Sequence, residues 1–259
     1  CAFASICLHC IYMSSCVKRL VSEIFEIERV PLPNIYVKGN AQDLTHVQAL
    51  IVGPSATPYA GGLFRFDMRF PEQYPHAPPV VEFLTTSGGS VRFNPNLYKN
   101  GKVCLSILGT YSGPGWSCAH GISSVLLSIQ SLLSTFPYHN EPGFEREHLP
   151  GDAERYNDCI RHETLRVGVC QQMEHPHQLD DFRGVADKMF MEQFDYYLQT
   201  CDLYKRLDTM PLHDPFLELR GIFNYADIQK RLQSIYSAVQ QRLQAEEDSS
   251  NLSEDSDDD

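Results

Sequence analysis

A run of alternating residues, LFRFDMRF at Leu63–Phe70, constrains the fold of this chain more than any other feature of its sequence. The even-numbered positions hold Phe, Phe, Met and Phe, and the odd-numbered positions hold Leu, Arg, Asp and Arg. This period of two predicts a β-strand with one apolar face. Because an apolar sheet face must be covered, the chain must also supply a layer that packs on it.

Two further strands are predicted beside the first. His46–Val52 ends at Gly53-Pro54, and Val80–Thr85 follows the proline-rich turn Tyr74–Pro79. Strands that are this close in sequence and joined by turn residues predict an antiparallel meander. The Tyr74-Pro75 peptide bond is a candidate for the cis isomer, which is found mainly before proline in tight turns.

Helical periodicity dominates the rest of the chain. Asn224 and Asp227 have the spacing of an N-cap and the third helical residue, at the start of the last helix. Helices before and after a local meander favour the α+β class. Apolar residues at i, i+3, i+4 and i+7 predict helices at Cys16–Arg29, Ile122–Leu133, Asp152–Glu174, Arg183–Leu207 and Tyr225–Glu247.

The order of these elements suggests four regions. We expect an unassigned N-terminal segment at 1–15, a core domain at 16–150, a helical C-terminal extension at 151–247 and a disordered acidic tail at 248–259. The tail, DSSNLSEDSDDD, is too polar and charged to pack. Ser253 and Ser256 lie among acidic residues and suit an acid-directed kinase. A tail that only improves solubility is the alternative.

Charge and hydropathy exclude two classes of partner. The net charge is −12 and the pI is about 5.2, which argues against nucleic-acid binding because that requires basic surface. No apolar run approaches the ~20 residues that span a bilayer, so we expect a soluble protein. The chain begins with Cys1 rather than Met, so we expect a fragment, and its first residues make a poor signal peptide.

The nine cysteines indicate a reducing compartment rather than a disulfide scaffold. Their number is odd, and those beyond the first sixteen residues have no framework spacing. Cys7 and Cys10 form a single CxxC pair, for which ordinary thiols are a better interpretation than zinc. We therefore expect no metal site.

Cys104 lies in the stretch NPNLYKNGKVCLSIL, which has little regular periodicity. The thiol is either a nucleophile on an exposed ledge or a buried packing residue beside Val103 and Leu105. Composition alone favours packing, because free cysteine is usually buried.

The order of motifs around Cys104 resembles that of the ubiquitin-conjugating enzymes. Tyr59-Ala-Gly-Gly-Leu-Phe, Phe70-Pro-x-x-Tyr-Pro-x-x-Pro-Pro, Pro95-Asn96 with Cys104 eight residues later, and Trp116-Ser117 occur in the family's order. The resemblance covers about residues 16–145. Asn94 in place of the family's His, the segment PYHNEPGFE and the C-terminal extension resemble a subgroup of large members.

This resemblance implies an enzyme with a thioester intermediate and a four-stranded sheet. Cys104 would accept ubiquitin or a tandem ubiquitin-like modifier and pass it to a substrate lysine. Asn96 would stabilise the oxyanion, or alternatively hold the loop. His139 or Asn140 would orient the lysine, or alternatively only shape their loop. Asn94 replaces a histidine that is usually treated as structural, so activity should survive.

Partner surfaces follow from the same resemblance. Lys18 and Arg19 on the first helix would meet the activating enzyme, and the otherwise acidic helix suggests one of the alternative type. Ligase loops would use His76 and the segment Trp116, Ser117, Cys118 and Ala119. There the chain departs from the usual motif at His76 and Cys118, and for Cys118 a role as a small packing residue is favoured over a role at the loop.

The remaining expectations also come from the resemblance. No cofactor is expected, since the activating enzyme uses the ATP. Cytoplasmic and nuclear placement and a link to apoptosis are implied as well. Two other functions are a non-catalytic ubiquitin-binding variant, which the intact Cys104 motif argues against, and a cysteine hydrolase built from Cys104, His139 and Asn140.

Overall fold

A four-stranded antiparallel sheet in the order β1-β2-β3-β4 organises the first half of the chain. The computed structural model describes residues 14–254, so the expected N-terminal segment with its CxxC pair and the last five residues lie outside the described part. The strands are β1 Ile35–Gly39, β2 His46–Val52, β3 Leu63–Arg69 and β4 Val80–Phe83. Helix α1 Ser15–Arg29 precedes the sheet and α2 Ile122–Leu132 follows it.

The predicted alternation of β3 is confirmed. Phe64, Phe66 and Met68 are fully buried and belong to one core cluster together with residues of α1 and α2. Burial of each such side chain contributes roughly 1.5–3 kcal/mol to folding. The predicted cis bond between Tyr74 and Pro75 is also present.

Both faces of the sheet are covered near the β2–β3 turn. Ala49 and Ile51 of β2 face the first cluster, whereas Leu50, Val52 and Leu63 belong to a second cluster formed with the C-terminal helices. Tyr197 fixes this packing, because its hydroxyl donates to the carbonyl oxygen of Gly61 at 2.8 Å. The C-terminal helices are therefore packed on the sheet.

The second half of the chain is mainly helical. Helix α3 Asp152–Glu163 continues through a π-helical stretch, Thr164–Gln171, into the short α4 Gln172–Glu174. Helix α5 Arg183–Tyr204 and helix α6 Tyr225–Glu254 pack on each other. Asn224 caps α6 as expected, since its side-chain oxygen accepts from the N–H of Asp227 at 3.2 Å.

Three elements differ from the sequence expectations. β1, which the residue pattern did not single out, is the fourth strand that the resemblance implied, and its register pairs Ile35 with Ile51 of β2. A two-stranded hairpin, β5 Pro211–His213 and β6 Leu219–Ile222, interrupts the helical extension. α6 continues past the predicted Glu247 and is described as far as Glu254, within the segment expected to be disordered, because adding residues to an established helix is much easier than starting one.

None of the helices in the described part of the chain is long and apolar enough to cross a membrane.

Candidate active site

An irregular segment between β4 and α2 carries Cys104. Leu97, which is fully buried, forms isolated β-bridges with Asn94 and with Val103, so the segment folds back on itself. Gly101 turns the chain at a φ of 87°, a value that glycine adopts without strain. A Cβ there would also lie 2.8 Å from Cγ of Glu82. The segment is thus anchored on the edge of the sheet beside β4.

Cys104 differs from the packing cysteines. Val103 and Leu105 on either side of it belong to the first core cluster, and Cys16, Cys159 and Cys170 are members of the two clusters. Cys104 is 5% exposed, yet it belongs to neither cluster of the described residues. Cys104 is therefore buried, as the packing alternative expects, although it packs in neither of the two clusters.

Asn96 is joined to Cys104 by two hydrogen bonds. The Asn96 side-chain amide donates to the Cys104 carbonyl oxygen at 2.9 Å, and the Cys104 N–H donates to the Asn96 carbonyl oxygen at 2.9 Å. The amide thus contacts the backbone beside the thiol. This contact is the one expected of a residue that holds the loop.

Asn94 forms the buried anchor of the segment. Its amide donates to the Tyr59 hydroxyl and to the Leu132 carbonyl oxygen, each at 2.9 Å. Its oxygen accepts from the Asn96 N–H at 2.9 Å. These bonds join the segment to the β2–β3 turn and to the end of α2, so Asn94 has a structural position.

His139 and Asn140 lie in a 3-10 turn after α2, Pro137–Asn140. The Asn140 amide contacts the Leu132 carbonyl oxygen at 3.2 Å and the Asn94 oxygen at 3.4 Å. His139 Nδ1 lies 2.7 Å from the Phe144 carbonyl oxygen. Both sets of contacts are those of residues that shape the loop.

Arg92 is a site residue that the sequence analysis missed. Its guanidinium donates to the Pro95 carbonyl oxygen at 2.6 Å and to Glu141 at 2.8 Å, and lies 4.4 Å from the centre of the Tyr98 ring. It therefore joins the Cys104 segment to the loop after α2. Arg92 is a charged residue in the otherwise apolar run VRF just before Asn94, and this pattern could have pointed to a role at the site.

The C-terminal hairpin reaches the same place. Arg220 of β6 is paired with buried Asp214 and donates to the Arg92 carbonyl oxygen at 2.8 Å. Lys99 pairs with Glu218 of the hairpin at 2.9 Å. The extension thus contacts the Cys104 segment at two points. No local pattern could reveal this, because the partners are more than a hundred residues apart.

The expected activating-enzyme residues lie on α1. Lys18 is exposed, and Arg19 pairs with Glu23. Glu23 also accepts from the Tyr74 hydroxyl at 2.7 Å and from the Ile122 N–H, at the start of α2, at 2.8 Å. Arg19 is therefore partly neutralised, and the basic surface of α1 is small.

The expected ligase residues form one edge. Trp116 donates from its indole nitrogen to the Pro75 carbonyl oxygen at 2.7 Å, which joins the two loops. His76, Ser117, Cys118 and Ala119 are exposed beside it. The alternative of an interior packing role for Cys118 is wrong, because its side chain is exposed. Within residues 14–254, no cluster of His, Cys, Asp and Glu side chains could hold a metal ion.

Comparison with known proteins agrees with this geometry. The family model described as ubiquitin-conjugating enzyme matches residues 19–150. The chain is 49% identical over 234 residues to "Ubiquitin-conjugating enzyme E2 Z" of Xenopus tropicalis, covering 90% of this chain and 75% of that protein. It is 50% identical over 232 residues to the Homo sapiens protein of the same name, covering 89% of this chain and 66% of that one.

A third relative is larger. The Homo sapiens "Dual E2 ubiquitin-conjugating enzyme/E3 ubiquitin-protein ligase BIRC6" is 42% identical over 166 residues, which is 61% of this chain and 3% of that protein. The similarity to the E2 Z proteins extends beyond the family model into the helical extension, so the predicted subgroup is confirmed. On the fold, the site and these comparisons, the chain belongs to the ubiquitin-conjugating enzyme family.

Proposed function

We propose that Cys104 receives the C-terminal glycine of ubiquitin or of a tandem ubiquitin-like modifier as a thioester, and that a substrate lysine then takes it. The observation that supports this most is the position of Cys104. Its neighbours are core residues, whereas its thiol lies outside both clusters on a segment held by Asn94 and Asn96.

The first step requires little activation of the thiol. The modifier arrives as a thioester on the activating enzyme, and the Cys104 sulfur attacks its carbonyl carbon. The activating enzyme's sulfur leaves and takes up the proton that Cys104 loses. Cysteine is sufficiently nucleophilic at neutral pH for this exchange, even with a few per cent of thiolate.

In the second step a neutral lysine amine attacks the thioester carbon, and the carbonyl oxygen becomes negative. When this oxyanion collapses, the bond from the carbon to the Cys104 sulfur breaks, and the leaving thiolate takes up the proton that the amine loses. We propose that the Asn96 side-chain amide gives up its hydrogen bond to the Cys104 carbonyl oxygen and donates a hydrogen bond to this oxyanion instead. A preorganised donor of this kind is worth roughly 3–4 kcal/mol. A purely structural role for Asn96 is the alternative that its present hydrogen bond favours.

For the lysine, we propose a shallow site formed by the turn that carries His139 and Asn140. The contacts of both side chains support a role in shaping this site. Glu141 lies in the same loop and is held by Arg92. The Arg92 guanidinium partly neutralises its carboxylate, so Glu141 contributes mainly to the position of the loop.

We further propose that the C-terminal extension braces the site. The buried pair of Arg220 and Asp214 holds a donor against the Arg92 carbonyl, and Arg92 holds Pro95. Because these contacts already restrict the Cys104 segment, the segment loses less conformational entropy when the modifier binds.

The proposed partners use the outer surfaces. An activating enzyme of the alternative type would meet α1, where Lys18 is an exposed cation and Arg19 is paired with Glu23. Ligases would contact the edge of His76, Trp116, Ser117, Cys118 and Ala119. Cytoplasmic and nuclear placement, a link to apoptosis and ATP use only by the activating enzyme belong to the same proposal.

A cysteine hydrolase is the second candidate, and the geometry argues against it. The His139 ring contacts Tyr138 edge-to-face at 5.3 Å and its Nδ1 contacts the Phe144 carbonyl oxygen. Asn140 contacts the end of α2. Both proposed partners of the thiol are thus engaged elsewhere, whereas a hydrolase needs the imidazole at the thiol.

A discharge experiment separates these functions. The chain is incubated with ubiquitin, ATP and an activating enzyme of the alternative type, and gels are run with and without reducing agent. We expect a thiol-sensitive adduct that disappears when free lysine is added and yields a lysine conjugate. An adduct that releases ubiquitin only to water would favour a hydrolase. Failure to form any adduct with either type of activating enzyme would exclude conjugation.

A further inference from the structure

Cys118 is the one exposed free cysteine among the residues that the structure describes. It lies in the turn between the Cys104 segment and α2, and its Sγ is 3.2 Å from Nδ1 of His76. The two residues are 42 positions apart in sequence, and both are exposed. The fold therefore brings an accessible thiol to an accessible imidazole.

The pair is held by the loops on either side. The Trp116 indole donates to the Pro75 carbonyl oxygen at 2.7 Å, and Pro75 directly precedes His76. The His76 N–H donates to the Gln73 carbonyl oxygen at 2.7 Å. On the other loop, the Ser117 N–H donates to Nδ1 of His120 at 3.0 Å. These hydrogen bonds hold the two loops, and so the Cys118 sulfur and the His76 nitrogen stay close to each other.

Such a pair has a defined chemistry. The reactive form of cysteine is the thiolate, and an imidazole within hydrogen-bonding distance can take the proton. The thiols of the C-terminal extension lack this arrangement. Burial raises the pKa of Cys159, Cys170 and Cys201 to about 12, which keeps them protonated and inert.

We propose that Cys118 and His76 form a thiol modification site, separate from Cys104, that reacts with low-molecular-weight disulfides such as oxidised glutathione. His76 takes the proton of Cys118, and the thiolate attacks one sulfur of the disulfide. A new S–S bond to Cys118 forms as the old S–S bond breaks. The leaving thiolate takes the proton from His76, so one glutathione is released for each chain modified. This chemistry does not depend on any activity at Cys104.

The product changes one edge of the molecule. A bound glutathionyl group places a bulky charged peptide between the loops of His76 and Cys118. Reduction by a free thiol reverses the change, since the mixed disulfide is exposed. The surface around His76 and Cys118 can therefore be modified covalently and then restored.

The test measures the reaction of each thiol in the folded full chain. The protein is treated with oxidised glutathione, or separately with iodoacetamide, and chymotryptic peptides are quantified by mass spectrometry over time. Cleavage after Tyr111 separates Cys104 from Cys118. The variants are His76→Gln and, as the matched control, His120→Gln, which removes an imidazole from the same edge without touching Cys118.

We expect His76→Gln to slow modification of Cys118 at least about fivefold, because no imidazole is then in place to take the thiol proton. His120→Gln should leave the rate within about twofold of wild type, since its imidazole is not the base. An unchanged rate in His76→Gln would overturn the proposal. Equal slowing in both variants would also overturn it, because loop geometry and not the imidazole would then set the rate.

Discussion

Asn96 and Cys104 are held by a reciprocal pair of hydrogen bonds, each 2.9 Å long. The Asn96 amide donates to the Cys104 carbonyl, and the Cys104 N–H donates to the Asn96 carbonyl. The Asn96 side-chain oxygen is buried without a hydrogen-bond partner in the described structure. This arrangement keeps an amide donor at a fixed place beside the thiol.

Asn96→Ala separates the two roles of this amide. We expect thioester loading close to wild type and discharge to lysine slower by about 10²-fold, as for loss of one oxyanion donor. Single-turnover discharge of the preloaded thioester measures both steps. Asn100→Ala, in the exposed turn of the same segment, is the matched control and should leave both rates unchanged. If loading and discharge fall together, Asn96 is structural.

Asn94 should be replaceable by histidine but not by alanine. Histidine can keep one donor and one acceptor at this buried position, so Asn94→His should load ubiquitin about as well as wild type. Asn94→Ala removes three hydrogen bonds and leaves the buried Asn96 N–H without its partner, a loss that costs about 1–3 kcal/mol. Urea denaturation measures the stability. An alanine variant as stable as wild type would contradict the anchoring role.

Variants of the Arg220–Asp214 pair can separate the support that the extension gives to the Cys104 segment from the pair's contribution to folding stability. Arg220→Met leaves a buried carboxylate unpaired and should cost about 3–5 kcal/mol. Adding Asp214→Asn removes that charge and keeps an acceptor for the Phe216 N–H, which lies at 2.7 Å. The double variant should regain most of the stability yet discharge ubiquitin more slowly, because Arg92 has lost its support. Wild-type discharge by a stable double variant would show that the extension does not brace the site.

The buried thiols predict a loss of stability in alkali. Burial raises the pKa of Cys159, Cys170 and Cys201 from an ordinary value of 9.0 to about 12. The folded state then binds more protons than the unfolded state, so the stabilisation is complete below pH 9 and declines as pH rises toward 12. Urea midpoints at pH 7, 9 and 10.5 measure the slope. Cys201→Ala should flatten it, and an unchanged slope would contradict this assignment.

Residues with a local signal were predicted well. The alternation of LFRFDMRF gave β3 and its buried face, and the i, i+3, i+4 pattern gave the helices before and after the sheet. Asn224 was recognised as a cap because capping depends on residues only three apart. The site at Cys104 was found differently, because the spacing of Asn96 and Cys104 pointed to it only through the resemblance to the family motif.

Residues defined by distant partners were not predicted. The run Ala49–Val52 is apolar on both faces because the extension covers the second face, which no local period shows. The bridge from Arg220 to Arg92 joins positions 128 residues apart. His76 and Cys118 were noted separately, and only the fold places the imidazole at the thiol.

We propose that Cys104, and no other cysteine of this chain, carries the modifier. The direct measurement is the mass-spectrometric location of the ubiquitin adduct on the wild-type chain and on Cys104→Ser. We predict a thiol-sensitive adduct at Cys104 in the wild type and a thiol-stable oxyester at position 104 in the variant. A thiol-sensitive adduct that persists in Cys104→Ser, at Cys118 or elsewhere, would contradict the account.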